Sequence, residues 1–206
     1  MIQGQALPRA FPPTLYAAAY AGGALFSVAI ALISYRYLVH AGPVAENVVA
    51  NPHAPTWLPV HVAAAATALL VGPFQFLKNL RARRPAAHRW LGRLYVLGCT
   101  AGGVSGFMLA LGSTAGPVAT AGFGLLAVAW IATTALALTA ALQRRFATHR
   151  AWMIRSFALT FAAVTLRLYL PLVFALPVPF LVGYAAISFL CWLPNLAAAE
   201  VYLKRA

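Results

Sequence analysis

The chain has 206 residues, 63% of them apolar and 8% charged, with 15 basic residues against 2 acidic ones and a formal charge of +13. Soluble domains carry about 25% charged residues, so this composition and a mean hydropathy of +0.81 exclude a water-facing surface over most of the chain. Two acids also exclude carboxylate dyads, carboxylate proton relays and hard divalent-cation cages, and the fold class that remains is an all-α integral membrane protein.

Charged and proline-rich stretches divide the sequence into six apolar segments, roughly Leu15–Val39, Trp57–Leu77, His88–Leu111, Val118–Leu142, His149–Leu170 and Pro179–Leu203. Each is about the 20 residues a helix needs to cross hydrocarbon. Helices satisfy their own backbone polar groups, and continuous rather than alternating apolarity argues against barrel strands. The first segment is too long for the 7–15-residue core of a cleavable signal peptide, so it reads as a retained span. The expectation is a single transmembrane domain over residues 1–206, with one loop of any length, Ala41–Thr56.

Small residues recur every four positions in the middle spans: Ala64, Ala68 and Gly72 in the second, Gly98, Gly102, Gly106 and Ala110 in the third, Ala129, Thr133, Ala137 and Ala141 in the fourth. Lipid gives no hydrophobic drive for helix association, so such stripes mark close backbone packing. Pro73 and Pro194 are expected to kink their helices. Cys99 and Cys191 lie in apolar runs without a CxxC partner and read as inert buried thiols. Glu200, four residues before Lys204, is expected to form a helical ion pair.

With six spans, Arg9, the loop after the second span (Lys78, Arg81, Arg83, Arg84), Arg89, Arg93, the loop after the fourth (Arg144, Arg145), Arg150, Arg155, Lys204 and Arg205 fall on one face. Thirteen of the 15 basic residues are thus together, leaving Arg36 and Arg167 on the other side. The positive-inside rule makes the crowded face cytoplasmic, both termini inside, in a cell (inner) membrane. Trp90, Trp152 and Trp57 stand where interfacial anchors would. The crowded loops are expected to contact anionic lipid headgroups. Short loops held against a membrane make nucleic acid an improbable partner.

The two crowded loops share the pattern RRxAxHR, in Arg83–Arg89 and Arg144–Arg150. An internal duplication follows, with spans two and three (about 57–111) related to spans four and five (about 118–176) by a pseudo-twofold axis and packed as a four-helix bundle. The basic residues are explained by lipid, but His88 and His149 are not. At a helix start the dipole disfavours the imidazolium, and neutral imidazole is a metal ligand. Across the axis His88 and His149 would be the axial pair of one b-type haem, with Arg84, Arg89, Arg145 and Arg150 against its propionates; a purely structural role is the alternative.

On the sparsely charged side, His61, Arg36 and Arg167 are candidates for an anion-binding site, since ionisable residues within a span usually face the bundle. Snorkelling to nearby headgroups is the simpler account of Arg36, and Arg167 lies deeper. The residue that the repeat sets against His61 is Gly122, so no second histidine pair is expected there.

Gly72-Pro73-Phe74-Gln75-Phe76, then His88-Arg89-Trp90-Leu91-Gly92-Arg93-Leu94-Tyr95-Val96, then His149-Arg150-Ala151-Trp152-Met153-Ile154-Arg155-Ser156 resemble the predicted membrane proteins grouped as domain of unknown function 2306. His61 and Leu166-Arg167-Leu168 extend the resemblance, which implies an integral membrane protein and no particular activity. A fold-level likeness to the transmembrane b-type cytochromes implies haem between the third and fifth helices, where His88 and His149 fall. Three functional expectations follow: a haem-binding electron-transfer protein with a quinone or redox partner, a small transporter or lipid-binding protein with an outer anionic site, or an accessory subunit of a membrane complex.

Overall fold

The computed structural model describes residues 13–205, so the expectation for Arg9 lies outside the described residues. The helices are α1 (Pro13–Ser34), α2 (Glu46–Val49), α3 (Ala54–Val71), α4 (Lys78–Arg83), α5 (Pro85–Leu111), α6 (Gly116–Leu142), α7 (Phe146–Thr160), α8 (Ala162–Ala175), α9 (Phe180–Leu190) and α10 (Leu193–Arg205). Short 3-10 turns at Tyr35–Val39 and Pro73–Phe76 extend α1 and α3. No strand occurs among the described residues.

Among the described residues, six helical stretches are long and apolar enough to cross a membrane: Thr14–Val39, Ala54–Phe76, Pro85–Leu111, Gly116–Leu142, Phe146–Ala175 and Phe180–Arg205. The six expected segments are therefore present, with two differences. The fifth continues past Leu170 to Ala175, because Pro171 is accommodated inside α8; its ring removes one hydrogen bond and does not force a stop where neighbouring helices support the backbone. The fifth and sixth are each interrupted, at Phe161 and at Cys191-Trp192. Pro194 stands in the first turn of α10, where its missing N–H leaves no partner wanting. Pro73 ends α3 and opens the 3-10 turn.

Spans two to five form the centre, with α3 packed most extensively on α5, α5 on α6 and α6 on α7. The glycine stripe explains the first of these. A Cβ on Gly98 would lie 2.8 Å from the Ala64 carbonyl oxygen and 3.1 Å from the Ala68 Cβ, so bare backbone meets the alanine stripe of α3. In α6, Thr133 and Ala137 are buried as the four-residue spacing predicts, while Ala129 and Ala141 are half-buried. Span one packs on α3, and α9 lies against α6.

The interior is small and hydroxyl-rich, with Ser27, Ser105, Ser156 and Ser188 wholly buried. Most interior hydroxyls donate within their own helix, as Ser27 does to the Gly23 carbonyl at 2.8 Å and Ser105 to Ala101 at 2.6 Å. Large apolar side chains point outwards instead: Leu25, Leu97, Phe174 and Leu142 are at least two-thirds exposed. Such a surface would aggregate in water and is the stable one in hydrocarbon.

At the arginine-rich end, Arg93 lies over the Trp90 ring at 4.7 Å and Arg155 over Trp152 at 4.6 Å. Cation–π stacking of this kind joins charged and aromatic anchors at one level. Glu200 is held by Arg155, at 2.5 and 2.9 Å, rather than by Lys204, because the guanidinium fork matches both carboxylate oxygens. The pair is partly exposed, so Glu200→Gln should cost only about 0.2–1 kcal/mol. Thermal denaturation in detergent at low and high salt checks that figure.

Candidate ligand cavity and the two histidine sites

At the end of the bundle opposite the arginines, the segment between α1 and α3 folds over the helices as a cap. Asn51, on the cap, donates to the Leu109 carbonyl near the end of α5 at 2.8 Å, and Thr114 donates to the Asn47 carbonyl at 3.2 Å. Beneath the cap is a cavity of about 400 Å³. Its walls come from α3 (His61, Ala65), α5 (Gly102, Gly106), α6 (Phe123, Trp130), α8 (Arg167) and α9 (Tyr184). Apolar side chains dominate, and a few polar groups converge on them, the usual character of a small-molecule site. A second cavity of about 250 Å³ lies between the cap and the start of α3, against His40 and Pro59.

Two of the three candidates on this side meet in the larger cavity. His61 stands two turns into α3, and its Nδ1 is 2.9 Å from the Gly102 carbonyl of α5. A carbonyl can only accept, so Nδ1 carries the proton and Nε2 is left as an acceptor. Arg167 donates from Nη1 to the Ala163 carbonyl and from Nη2 to Ser34 Oγ, both at 2.9 Å. Neither partner is charged. Glu200 is bonded to Arg155, and no ion pair reaches Arg167 among the described residues.

Arg36 behaves differently. It donates to the Ala41 carbonyl at 2.8 Å, the Pro43 carbonyl at 3.0 Å and the Tyr37 hydroxyl at 3.1 Å, and does not line the cavity. It ties the cap to α1, which allows His40 and Gly42 their left-handed backbone (φ 52° and 79°). The distinction between a shallow Arg36 and a deep Arg167 was visible in their distance from the span ends.

At the arginine-rich end, His88 and His149 sit in the first turns of α5 and α7, each half-buried. His149 Nδ1 donates to the Ala137 carbonyl of α6 at 2.9 Å, whereas His88 Nδ1 is buried without a partner. The turn below is filled by Met153, with Leu91 and Trp152 packed on the same core. A turn deeper, Tyr95 bridges α5 and α7 by hydrogen bonds to Ser156 and Thr160, and neither cavity reaches the histidines. Nothing in this packing points to a haem between α5 and α7. Of the four arginines grouped with the histidines, Arg145 bonds Gln143 and Arg150 donates to Tyr202 at 3.0 Å; all four are exposed.

Directly below the cavity lies a buried polar cluster. Tyr95, wholly buried in α5, reaches Ser156 at 2.9 Å and Thr160 at 2.8 Å on α7. From α6, Thr134 is 2.7 Å from Ser156 and Trp130 Nε1 donates to Thr160 at 2.8 Å. Trp130 and Thr160 also form the cavity floor. Sequence reasoning passed over these residues, because hydroxyls in apolar helices usually bond their own backbone. The signal available was arithmetic: Tyr95 and Ser156 stand 61 residues apart, the offset that separates His88 from His149.

No curated protein and no solved structure matches this chain. A family model described as a predicted membrane protein, DUF2306, matches residues 58–203. That span takes in nearly all of the central bundle, His61 and Arg167, both histidine loops and the hydroxyl cluster. The chain is a membrane protein of the DUF2306 family.

Proposed function

We propose that the protein is a small-molecule binding or transport protein whose site is the capped cavity, and that its ligand is an amphipath with an acceptor or anionic head. The observation that supports this is Arg167. A guanidinium has five N–H donors, and two of these are used, on neutral oxygens. Arg167 lines the apolar cavity, and no carboxylate pairs with it among the described residues. An unpaired charge in such surroundings is costly unless something completes it, and an anionic or carbonyl oxygen on a ligand does so. The apolar walls, with Phe123 and Leu126 among them, then cover the rest of the molecule.

Binding of a panel of ten-carbon amphiphiles to the detergent-purified protein tests the reading, with carboxylate, phosphate, quinone, alcohol and trimethylammonium heads. Acceptor-headed members should bind and the trimethylammonium should not. Arg167→Gln keeps a polar side chain with two N–H donors but is shorter and removes the charge. It should cost about 2 kcal/mol or more, roughly thirtyfold in Kd. Equal affinity for the cationic amphiphile, or an unchanged Kd in Arg167→Gln, would show that the cavity is not this kind of site.

A further inference from the structure

Arg167 offers hydrogens to a ligand; His61 asks for one. With its Nδ1 proton on Gly102, the ring turns an unprotonated Nε2 to a site with no protein donor for it among the described residues. The two side chains sit at matching depth. His61 is seven residues from the capped end of α3, and Arg167 is eight from that of α8, so each lies about 10–12 Å down its helix. The wall beside them is aromatic. A Cβ on Gly106 would come within 3.0 Å of the His61 ring, and one on Gly102 within 3.1 Å of the Trp130 ring. The two glycines thus let the His61 and Trp130 rings lie close on α5, and these rings line the cavity and suit an aromatic ring on a ligand.

We propose that the ligand head is a hydroxylated ring of the phenol or quinol class, whose hydroxyl donates to His61 Nε2 while a second oxygen accepts from Arg167. This rests on the reading of the cavity as a ligand site and specifies its chemistry. A simple carboxylate completes Arg167 but brings no hydrogen for His61. A ring with oxygens on opposite edges serves both, packs on the aromatic lining, and leaves an apolar tail for the remaining length of the cavity. Only binding is involved; no bond is made or broken.

The test compares decylhydroquinone, kept reduced under argon, with its dimethyl ether, which keeps the ring, tail and both oxygens but has no hydroxyl hydrogen. Binding to the full chain in detergent is followed by quenching of tryptophan fluorescence, with Trp130 in the lining. The hydroquinone should bind at least about tenfold more tightly than the ether, the scale of one hydrogen bond to a buried acceptor. In His61→Phe that preference should disappear. Equal binding of the two by the unmutated protein overturns the inference without requiring any variant to fold. So does a preference that survives His61→Phe. If decanoate binds and depends on Arg167 while the hydroquinone does not bind, the head-group assignment fails and the cavity reading stands. If no member of either set binds, both fail.

Discussion

Replacing Gly98 with leucine should cost the protein at least about 3 kcal/mol and most of its monodisperse yield in detergent. Inserting methylenes into a well-packed interface costs about 1–3 kcal/mol when side chains can shift, and here the obstacle is backbone. The added Cβ would meet the Ala64 carbonyl oxygen at 2.8 Å and the Ala68 nitrogen at 3.2 Å, and neither can rotate away. The only relief is separation of α3 from α5, the most extensive contact in the molecule, and with it loss of the wall that carries His61. Gly98→Ala already places the offending atom and should cost about 1–3 kcal/mol. Gly22 supplies the control: nothing lies within 4 Å of its Cβ position, so Gly22→Ala should be neutral or slightly stabilising. Thermal aggregation in detergent, read by size-exclusion chromatography, separates the three.

The contrast between Gly98 and Gly22 shows how far one sequence carries. Spacing by four placed Gly98, Gly102 and Gly106 on one face, and lipid leaves such a face nothing to do but pack. The same stripe could not show that Gly106 stands beside His61 while Gly98 stands beside Ala64, since register between helices is absent from either helix alone. Span number and most span ends followed from length and apolarity. The interruption at Phe161 did not, because no proline or charge announces it, whereas that at Cys191-Trp192 lies just before Pro194, where a kink is expected. At the site, Arg167 was legible from its depth and His61 from its place inside a span. The cavity joining them needs α3, α5, α6, α8 and α9 at once. The histidines at the other end show the limit of a motif: a shared pattern suggests a shared ligand, but only the packing around it shows that Met153, Tyr95 and their neighbours fill the layers beneath.

Tyr95 joins a buried polar cluster in which most of the hydrogens can be placed from their acceptors. Thr160 Oγ1 donates to the Ser156 carbonyl at 2.9 Å, so it accepts both from Trp130 Nε1 and from Tyr95. That fixes the Tyr95 hydrogen on Thr160. Thr134 Oγ1 in the same way donates to the Trp130 carbonyl at 2.8 Å, so the one Ser156 Oγ hydrogen is shared between Thr134 and Tyr95. Every hydroxyl hydrogen has an acceptor, an arrangement in which neighbouring bonds reinforce one another. Tyr95→Phe removes the link to Ser156 and Thr160 in the buried interior and should cost about 1–3 kcal/mol. Tyr95→Ala adds a void and should cost about 3–5 kcal/mol. If the cluster acts as a unit, Tyr95→Phe and Trp130→Phe share Thr160 and should be non-additive by about 0.5–3 kcal/mol in a double-mutant cycle. Additive losses would instead mean independent contacts. Because Trp130 and Thr160 are also the cavity floor, the coupled variant should bind the ring-headed ligand more weakly while the effect of Arg167→Gln persists, which separates the support beneath the ligand from the groups that read its head.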